Sequence, residues 1–366
     1  MSSHARRLLA LSLCALAACA RVPEEPPRPP ILYPPPPDAP RVQYLTSIRS
    51  VTDMPRATSR LADIVLGPPE EGMRVWKPYG VAMAGTHLYI CDTIINNVLI
   101  FDFADGSARS LSTNLGADVL RNPINIAVAD DGTKYVADAL RGQVVVFGPD
   151  DRYQTAWGTP EEMTPCDVLV VGDRLAVADL LDDEIEIWDR RTGERLSSFG
   201  GPGSGPGQFR APTNLALSPD GTLCVSETHG FRVQRLTLEG DPILTFGEIG
   251  TGFGQFTRPK GVAVDPAGRI CVVDSAFSNV QIFTDSGELL MFFGGAGPNV
   301  SNLDLPADIE IVTDPVSLAL FEPFVAPGRH ISHLFLVSSQ FGVPRINVYG
   351  FLDEGETPTD HGRPVP

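Results

Sequence analysis

The chain has 366 residues, of which 45 are acidic and 28 basic, and its formal net charge is −17 at pH 7. A surface this acidic repels phosphate backbones, which excludes nucleic acid as an expected partner. Beyond the first 20 residues no apolar run is long enough to span a bilayer, so we expect no transmembrane helix there.

The N-terminus has the pattern of a secretory signal. Two arginines precede an apolar stretch, residues 8–18, which ends in Leu-Ala-Ala-Cys at Cys19. This ending resembles the bacterial lipobox. The resemblance implies that residues 1–18 are removed and that Cys19 is lipidated, which would attach the protein to a membrane. Because Ala20 and not Asp follows, the same pattern implies an outer-membrane lipoprotein facing the periplasm or the cell surface. The alternative is an ordinary signal peptide with an incidental cysteine.

The segment after Cys19 is dominated by proline. Residues 19–41 have no apolar pattern to bury and favour an extended polyproline II spacer of about 3 Å per residue. At the other end, residues 352–366 are polar and proline-rich, and we expect a flexible tail there.

Between these ends the sequence repeats. Six prolines recur at intervals of 45, 42, 47, 47 and 47 residues, and each opens a similar phrase. The prolines are Pro78, Pro123, Pro165, Pro212, Pro259 and Pro306. A repeat of this length that contains several short strands is typical of a β-propeller, in which each repeat forms one blade.

Each repeat predicts four strands. An apolar first strand is followed by a turn and by a second strand that ends in an acid in five repeats. These acids are Asp92, Asp138, Asp179, Glu227 and Asp274. Because they recur, we expect a structural role in which they accept backbone N–H bonds at the turns. We also expect them to make that face of the propeller acidic.

The last repeat stops after its third strand, near Tyr349, whereas residues 42–48 alternate like a strand before the first repeat. We therefore predict that this segment supplies the fourth strand of the last blade, which removes the open sheet edges of the ring. The prediction is an all-β, six-bladed, monomeric propeller over residues 42–351.

The motif G-x-G-x-G-x-F, then P-x-G-V-A-V-D, then V-Q-x-F resembles the NHL repeat. It is clearest in residues 199–236 and 246–283. The resemblance implies a six-bladed propeller of the kind found in bacterial lipoproteins. It leaves the activity open, because NHL propellers include peptidyl-hydroxyglycine lyases, sensor domains and binding platforms.

The residue two positions after each repeat proline is expected to ring one end of the axial channel. In order these residues are Gly80, Asn125, Asp167, Asn214, Gly261 and Asp308. Carboxylate and amide oxygens suit Ca²⁺, so Asn125, Asp167, Asn214 and Asp308 are candidate calcium ligands. Propellers of the gluconolactonase and regucalcin type bind calcium in such a place, one residue earlier in the repeat. The alternative is that Asn and Asp tolerate a tight backbone at this position.

The sixth repeat contains an insertion. Its Pro306 and Ser338 are 32 residues apart, and the extra segment includes the apolar run 316–325. This run could cover the channel, pack on its blade, or bind a partner. For the last alternative the candidate contacts are Leu318, Leu320, Phe321 and Phe324.

The sequence is compatible with two functions. No histidine stands at a ring position and no Ser, His and acid share a recognisable context, so we expect a binding platform for an envelope protein or peptide. The rival is a calcium-dependent hydrolase of the lactonase type that uses the axial channel.

Overall fold

The structure is a computed structural model that describes residues 29–54, 72–111, 120–343 and 346–353. The predicted signal peptide, Cys19, the rest of the spacer up to residue 28 and the C-terminal tail from residue 354 lie outside these ranges. The chain divides after Pro30, and the unit that begins at Ile31 contains all the strands named below. No helix in the described ranges has both the length and the apolar character needed to cross a membrane.

Six antiparallel sheets form the blades in the described ranges. Blade one contains β3 (Pro78–Ala84), β4 (His87–Asp92), β5 (Asn97–Asp102) and β6 (Ser107–Ser110). Blade two contains β7 (Pro123–Val128), β8 (Lys134–Asp138), β9 (Gln143–Phe147) and β10 (Tyr153–Trp157). Blade three contains β11 (Pro165–Val171), β12 (Arg174–Asp179), β13 (Glu184–Asp189) and β14 (Arg195–Gly200).

Blade four contains β15 (Pro212–Leu217), β16 (Leu223–Glu227), β17 (Arg232–Leu236) and β18 (Pro242–Phe246). Blade five contains β19 (Pro259–Val264), β20 (Ile270–Asp274), β21 (Asn279–Phe283) and β22 (Leu289–Gly294). Blade six contains β23 (Pro306–Val312), β24 (Ile331–Ser339), β25 (Ile346–Leu352), β2 (Val42–Ile48) and β1 (Ile31–Tyr33). The first strands of successive blades contact one another in cyclic order, with β23 against β3. The predicted six-bladed propeller is confirmed.

The ring closes through the N-terminal strand, as predicted. β2 pairs antiparallel with β25, with Tyr44 opposite Tyr349. Both boundaries of the propeller differ from the prediction. Leu352, assigned to the tail, is buried at the end of β25. Ile31–Tyr33, assigned to the spacer, forms a fifth strand on the outer edge of β2, and the Tyr33 hydroxyl donates to Ser301 Oγ at 3.0 Å. The reason is that β2 would otherwise present an unpaired edge, and these residues pair with it.

The core lies between neighbouring blades. The second and third strands are buried on both faces, and large side chains such as Phe101, Phe147 and Phe283 are at most 1% exposed. Each such side chain contributes about 1.5–3 kcal/mol through burial. The blades are therefore held together mainly by apolar contact.

The acids that end the second strands have the predicted structural role. Asp92 Oδ2 accepts the backbone N–H groups of Trp76 and Lys77 at 2.6 and 2.9 Å, and its Oδ1 accepts that of Ile94 at 3.0 Å. Asp138, Asp179, Glu227 and Asp274 accept backbone N–H bonds in the same way. In blade six the equivalent residue is Ser339, which pairs with Pro306.

The insertion of the sixth repeat forms a short helix, α1 (Pro315–Phe321), and a 3-10 turn, Glu322–Phe324. Asp314 caps the helix by accepting the N–H of Ser317 at 3.0 Å. Ser317 Oγ in turn donates to Gly85 O of blade one at 2.7 Å. These bonds attach the insertion to the body of the propeller.

The apolar face of the insertion packs on the cluster between blades six and one. Phe321 is fully buried and its ring centroid lies 5.7 Å from that of Phe103, whereas Leu318, Leu320 and Phe324 are partly buried against the same cluster. None of the four lines the axial channel. The structure thus favours packing on the blade over the other two alternatives, and Phe321 is not accessible to a partner.

Candidate functional site

Two sets of loops lie on the same face of the propeller. Antiparallel pairing places the start of each first strand beside the end of the second, as in the pairs Pro78 with Asp92 and Pro212 with Glu227. Loops that enter the first strands therefore meet the loops that follow the second strands. We call this face the upper face.

A depression of about 810 Å³ lies on the upper face, and we call it the basic pocket. Its walls come from these loops and from the beginnings of first strands in blades one, three, four, five and six. They are formed by Lys77, Tyr79, Leu180, Asp183, Arg210, Ala211, Thr213, Thr228, His229, Arg258, Lys260 and Gln340.

Four cations and one carboxylate line the basic pocket. The cations are Lys77, Arg210, Arg258 and Lys260. The carboxylate, Asp183, accepts the N–H of Ala211 at 2.8 Å. In the described part of the chain none of the four cations forms an ion pair, although many other basic residues of the propeller do. The pocket thus carries a positive field on a protein of charge −17.

The expectation of an acidic upper face is therefore wrong at its centre. The second-strand carboxylates are turned toward backbone N–H groups, and the pocket beside them is lined by cations.

Lys260 is the most buried cation of the pocket, at 5% exposure. Its Nζ lies 4.6 Å from the ring centroid of Tyr79, and it has no hydrogen-bond acceptor among the described residues. Its backbone is held in place, because Ser226 Oγ donates to its carbonyl and Thr228 Oγ1 donates to the preceding carbonyl, of Pro259. Burial, together with the nearby charges of Arg258 and Lys77, lowers the pKa of Lys260 to about 8.

Lysine is rare in this chain. The sequence contains three lysines, Lys77, Lys134 and Lys260, against 25 arginines. Lys134 is buried and paired with Asp151, Nζ to Oδ1, at 2.6 Å. The other two lysines both lie in the basic pocket. The sequence analysis did not identify this pocket, although the scarcity of lysine is visible in the sequence.

Exposed apolar side chains also lie on the upper face. In four blades the residue two positions after the end of the second strand is large and apolar. These residues are Ile94, Leu140, Leu181 and Phe341, and they are 47–70% exposed. We call them the apolar rim. In blades four and five the equivalent positions hold His229 and Ala276.

The predicted ring residues fasten the first strands to one another. Asp167 Oδ2 accepts the N–H of Leu215 in the next blade at 2.7 Å. Asp308 Oδ2 accepts the N–H of Val81 at 3.0 Å, which joins blade six to blade one. Their carboxylates are thus used for inter-blade hydrogen bonds.

The two amides of the ring differ in their bonding. Asn125 Oδ1 accepts the N–H of its own neighbour Ile126 at 2.9 Å. Asn214 Nδ2 donates to Asp308 Oδ1 at 3.1 Å, whereas Asn214 Oδ1 is buried without a partner among the described residues.

Glycine is needed at two ring positions because the backbone of the next blade lies very close to them. A Cβ on Gly80 would lie 2.2 Å from Asn125 Oδ1 and 2.6 Å from its Cα. A Cβ on Gly261 would lie 2.7 Å from the Cα of Asp308. The ring is therefore too tight for a side chain at these two positions.

Below the ring lies the axial channel, a cavity of about 270 Å³ lined by the apolar first strands and three acids. Burial raises the pKa of Asp308 to about 6 and that of Glu310 to about 8, where the charge of Asp308 contributes as well. Burial and the charge of Asp308 also raise the pKa of Asp167. Sequence reasoning missed Glu310, although it stands where four other repeats have a small alanine.

The hydrogen bonds of the channel residues occupy part of the oxygen ligands that a calcium ion would need. Calcium takes six to eight oxygen ligands, but Asp167 and Asp308 already accept backbone N–H bonds. No group of three or more His, Cys, Asp or Glu in the described ranges is placed to hold a metal. Calcium binding at Asn125, Asp167, Asn214 and Asp308 stays a prediction.

Comparison with known proteins supports the fold. Residues 256–283 match the NHL repeat. A virginiamycin B lyase from Staphylococcus aureus is 15% identical, with 85% of this chain and 88% of that chain covered and a TM-score of 0.51. A gluconolactonase from Xanthomonas campestris is 16% identical, with 85% and 98% covered and a TM-score of 0.53. A Bacteroides thetaiotaomicron protein of unknown function is 14% identical, with 85% and 75% covered and a TM-score of 0.56.

Identities this low show a shared fold and carry no activity over to this chain.

Proposed function

Because the chain is a six-bladed β-propeller of NHL repeats, a fold that hosts enzymes and binding proteins alike, we propose that it is a binding propeller whose basic pocket takes a small anionic ligand. The observation that carries the proposal is Lys260, a 5% exposed cation without an acceptor at the wall of an open depression. A buried charge without a partner is costly, and an anionic ligand would offset that cost.

The size of the basic pocket supports a small-molecule ligand. Its volume, about 810 Å³, lies within the range of about 300–1,000 Å³ that is usual for small-molecule sites. Arg210 and Arg258 are exposed to the pocket and unpaired within the described ranges, so their guanidinium groups are free to bind a carboxylate with two parallel hydrogen bonds.

Calorimetry with glutarate, a small dicarboxylate, tests the proposal. We expect binding that weakens as salt is added, because the contacts are electrostatic. In the double variant Arg210→Ala/Arg258→Ala the affinity should fall by tenfold or more, since hydrogen bonds to charged groups are worth about 1.5–3 kcal/mol each.

The matched control is Arg152→Ala. Arg152 is an exposed arginine at the turn between β9 and β10, outside the basic pocket, and is paired with Asp150 at 3.5 Å. Its loss should leave glutarate affinity unchanged. Binding that is equally weak in the wild type and the double variant would refute the proposal.

A protein or peptide partner is a second candidate, favoured by the apolar rim. Ile94, Leu140, Leu181 and Phe341 expose large apolar side chains on the same face, and such clusters mark interaction surfaces. Cross-linking and co-purification from the native envelope should recover a partner that the double variant Leu140→Ser/Leu181→Ser loses. That variant should still bind glutarate.

The calcium-dependent hydrolase remains a rival. It is supported by the fold shared with a gluconolactonase, a likeness too low in identity to carry the activity. Calcium analysis of the purified protein and a lactone-hydrolysis assay with Asp167→Ala decide between the two. Stoichiometric calcium and hydrolysis lost in that variant would replace the binding proposal.

We also propose that the protein is anchored to the outer membrane by lipid at Cys19. The support is the sequence pattern that ends at this cysteine.

A further inference from the structure

We infer that Lys260 holds the ligand covalently, as an imine with the carbonyl carbon of a 2-oxo acid. The inference rests on the proposed function, since it concerns the same basic pocket. It adds a reaction to that pocket and a chemical class to the ligand.

The position of Lys260 suits a nucleophilic amine. Its side chain is 95% buried, so water solvates the charged form poorly, yet Nζ borders the open pocket. Arg258 and Lys77 place like charges nearby, and burial with these charges lowers the pKa of Lys260 to about 8. A lysine that is desolvated and lies beside another cation is activated in this way. At pH 7.5 its neutral fraction is about two-hundredfold greater than that of an ordinary lysine.

Residue usage in the chain points to the same side chain. The protein uses arginine at 25 of its 28 basic positions, and arginine cannot lose its proton in a protein. A purely electrostatic anion site could be built from guanidinium groups alone, as Arg210 and Arg258 illustrate. Lysine at position 260 supplies what arginine cannot, an amine that can become neutral and attack a carbonyl.

The remaining wall of the pocket selects an acid. A 2-oxo acid carries a carboxylate next to its carbonyl, and the pocket offers Lys77, Arg210 and Arg258 to that carboxylate. The volume of about 810 Å³ leaves room for a longer ligand than the smallest 2-oxo acid. A second carboxylate would contact the cations left over, so 2-oxoglutarate is a suitable probe.

The reaction balances without a further reactant. Lys260 first loses a proton to solvent. The neutral amine then forms a bond to C2 of the 2-oxo acid as the C=O π bond breaks, and the transfer of one proton from the nitrogen to the oxygen gives a carbinolamine. Loss of one water molecule yields the imine. The steps are reversible and involve no oxidation or reduction.

Borohydride trapping tests the inference. The protein is incubated with 2-oxoglutarate, sodium borohydride reduces any C=N bond to a stable secondary amine, and peptide mass spectrometry locates the adduct. With three lysines in the whole chain the assignment is simple, and Lys134, buried and ion-paired, serves as an internal control. Glutarate, which has no carbonyl, is measured in parallel by calorimetry.

The expected result is an adduct on Lys260, formed faster as pH rises through about 8, and not on Lys134. Glutarate should compete with its formation. Lys260→Arg should abolish the adduct, and Arg152→Ala should leave it unchanged; circular dichroism establishes that both variants are folded. If Lys260→Arg does not fold, the position of the adduct in the wild-type protein still tests the inference.

Two failures are distinguishable. If glutarate binds and 2-oxoglutarate gives no adduct on Lys260, the imine is refuted and the anionic-ligand proposal survives. If glutarate does not bind, the proposed function fails, and the inference that rests on it fails as well.

Discussion

Asn214 of blade four donates a hydrogen bond to Asp308 of blade six, Nδ2 to Oδ1, at 3.1 Å, although the two residues are 94 positions apart in the chain. The bond crosses the end of the axial channel, and the other oxygen of Asp308 accepts the N–H of Val81 in blade one. One carboxyl group therefore connects three blades. Because this carboxyl group is buried, its protonation is linked to the stability of the ring, as is that of the other channel acids.

We predict that stability falls as pH rises through the pKa values of the channel acids. Burial raises the folded-state pKa of Asp308 to about 6 and that of Glu310 to about 8, above their unfolded values near 4. A raised folded-state pKa means that the folded state holds the proton more tightly. The contribution is complete below pH 4 and is lost as pH rises through 6 and 8.

Glu310→Gln isolates this effect. Glu310 has no hydrogen-bond partner in the described ranges, and glutamine carries no charge to desolvate. Urea unfolding from pH 4 to 9 should show little difference at pH 4 and an advantage of the variant that grows from about pH 5 and levels off above pH 8. Each unit of pKa shift corresponds to about 1.4 kcal/mol. Glu239→Gln, on an exposed turn, is the control, and parallel curves for wild type and Glu310→Gln would contradict the prediction.

The tight ring predicts a second effect. Gly80→Ala should destabilise the propeller by about 1–3 kcal/mol or more, since its Cβ would lie 2.6 Å from the backbone of Asn125. Gly205→Ala is the matched control, because its Cβ would meet only the flexible end of Gln208, at 3.0 Å. Thermal unfolding measures both. Equal melting temperatures for the two variants would show that the ring relaxes to admit a methyl group.

The blades were predictable from sequence because their determinants are local and repeated. The prolines, the apolar first strands and the acid at Asp92 and its equivalents recur in the same register, and each forms hydrogen bonds within its own blade. Closure by residues 42–48 followed from counting strands. The fifth strand, Ile31–Tyr33, did not, because its pairing depends on an edge that exists only after the ring has closed.

The basic pocket could not be predicted in this way. Its cations stand at three different offsets from the repeat prolines: Lys77 and Arg258 one before, Arg210 two before, and Lys260 one after. No repeat position is therefore basic in most blades, and the charges meet because the ring brings blades one, four and five together. The acids of the second strands do share a position, and the sequence therefore predicted an acidic face.

The helix of the insertion is predicted to stabilise the propeller. Phe321→Ala removes a fully buried ring that contacts Phe103 and should cost about 3–5 kcal/mol in urea unfolding. Val316→Ser, on a residue that is 53% exposed in the same helix, should have little effect. An unchanged free energy of unfolding in Phe321→Ala would mean that the helix does not pack as described.

The anchoring proposal predicts where the protein is found in the cell. A thioether-linked lipid cannot form without the thiol of Cys19, so Cys19→Ser should move the protein from the membrane fraction to the soluble fraction or block its processing. Stable anchoring to a membrane requires more than one acyl chain. The variant has no lipid at this position, so any of it that is processed should be almost entirely soluble. Cys14→Ser, in the apolar stretch before the cleavage position, is the control and should leave the distribution unchanged. Mass spectrometry of the mature N-terminus provides the direct measurement, and an unmodified N-terminus at another residue would refute lipid attachment at Cys19.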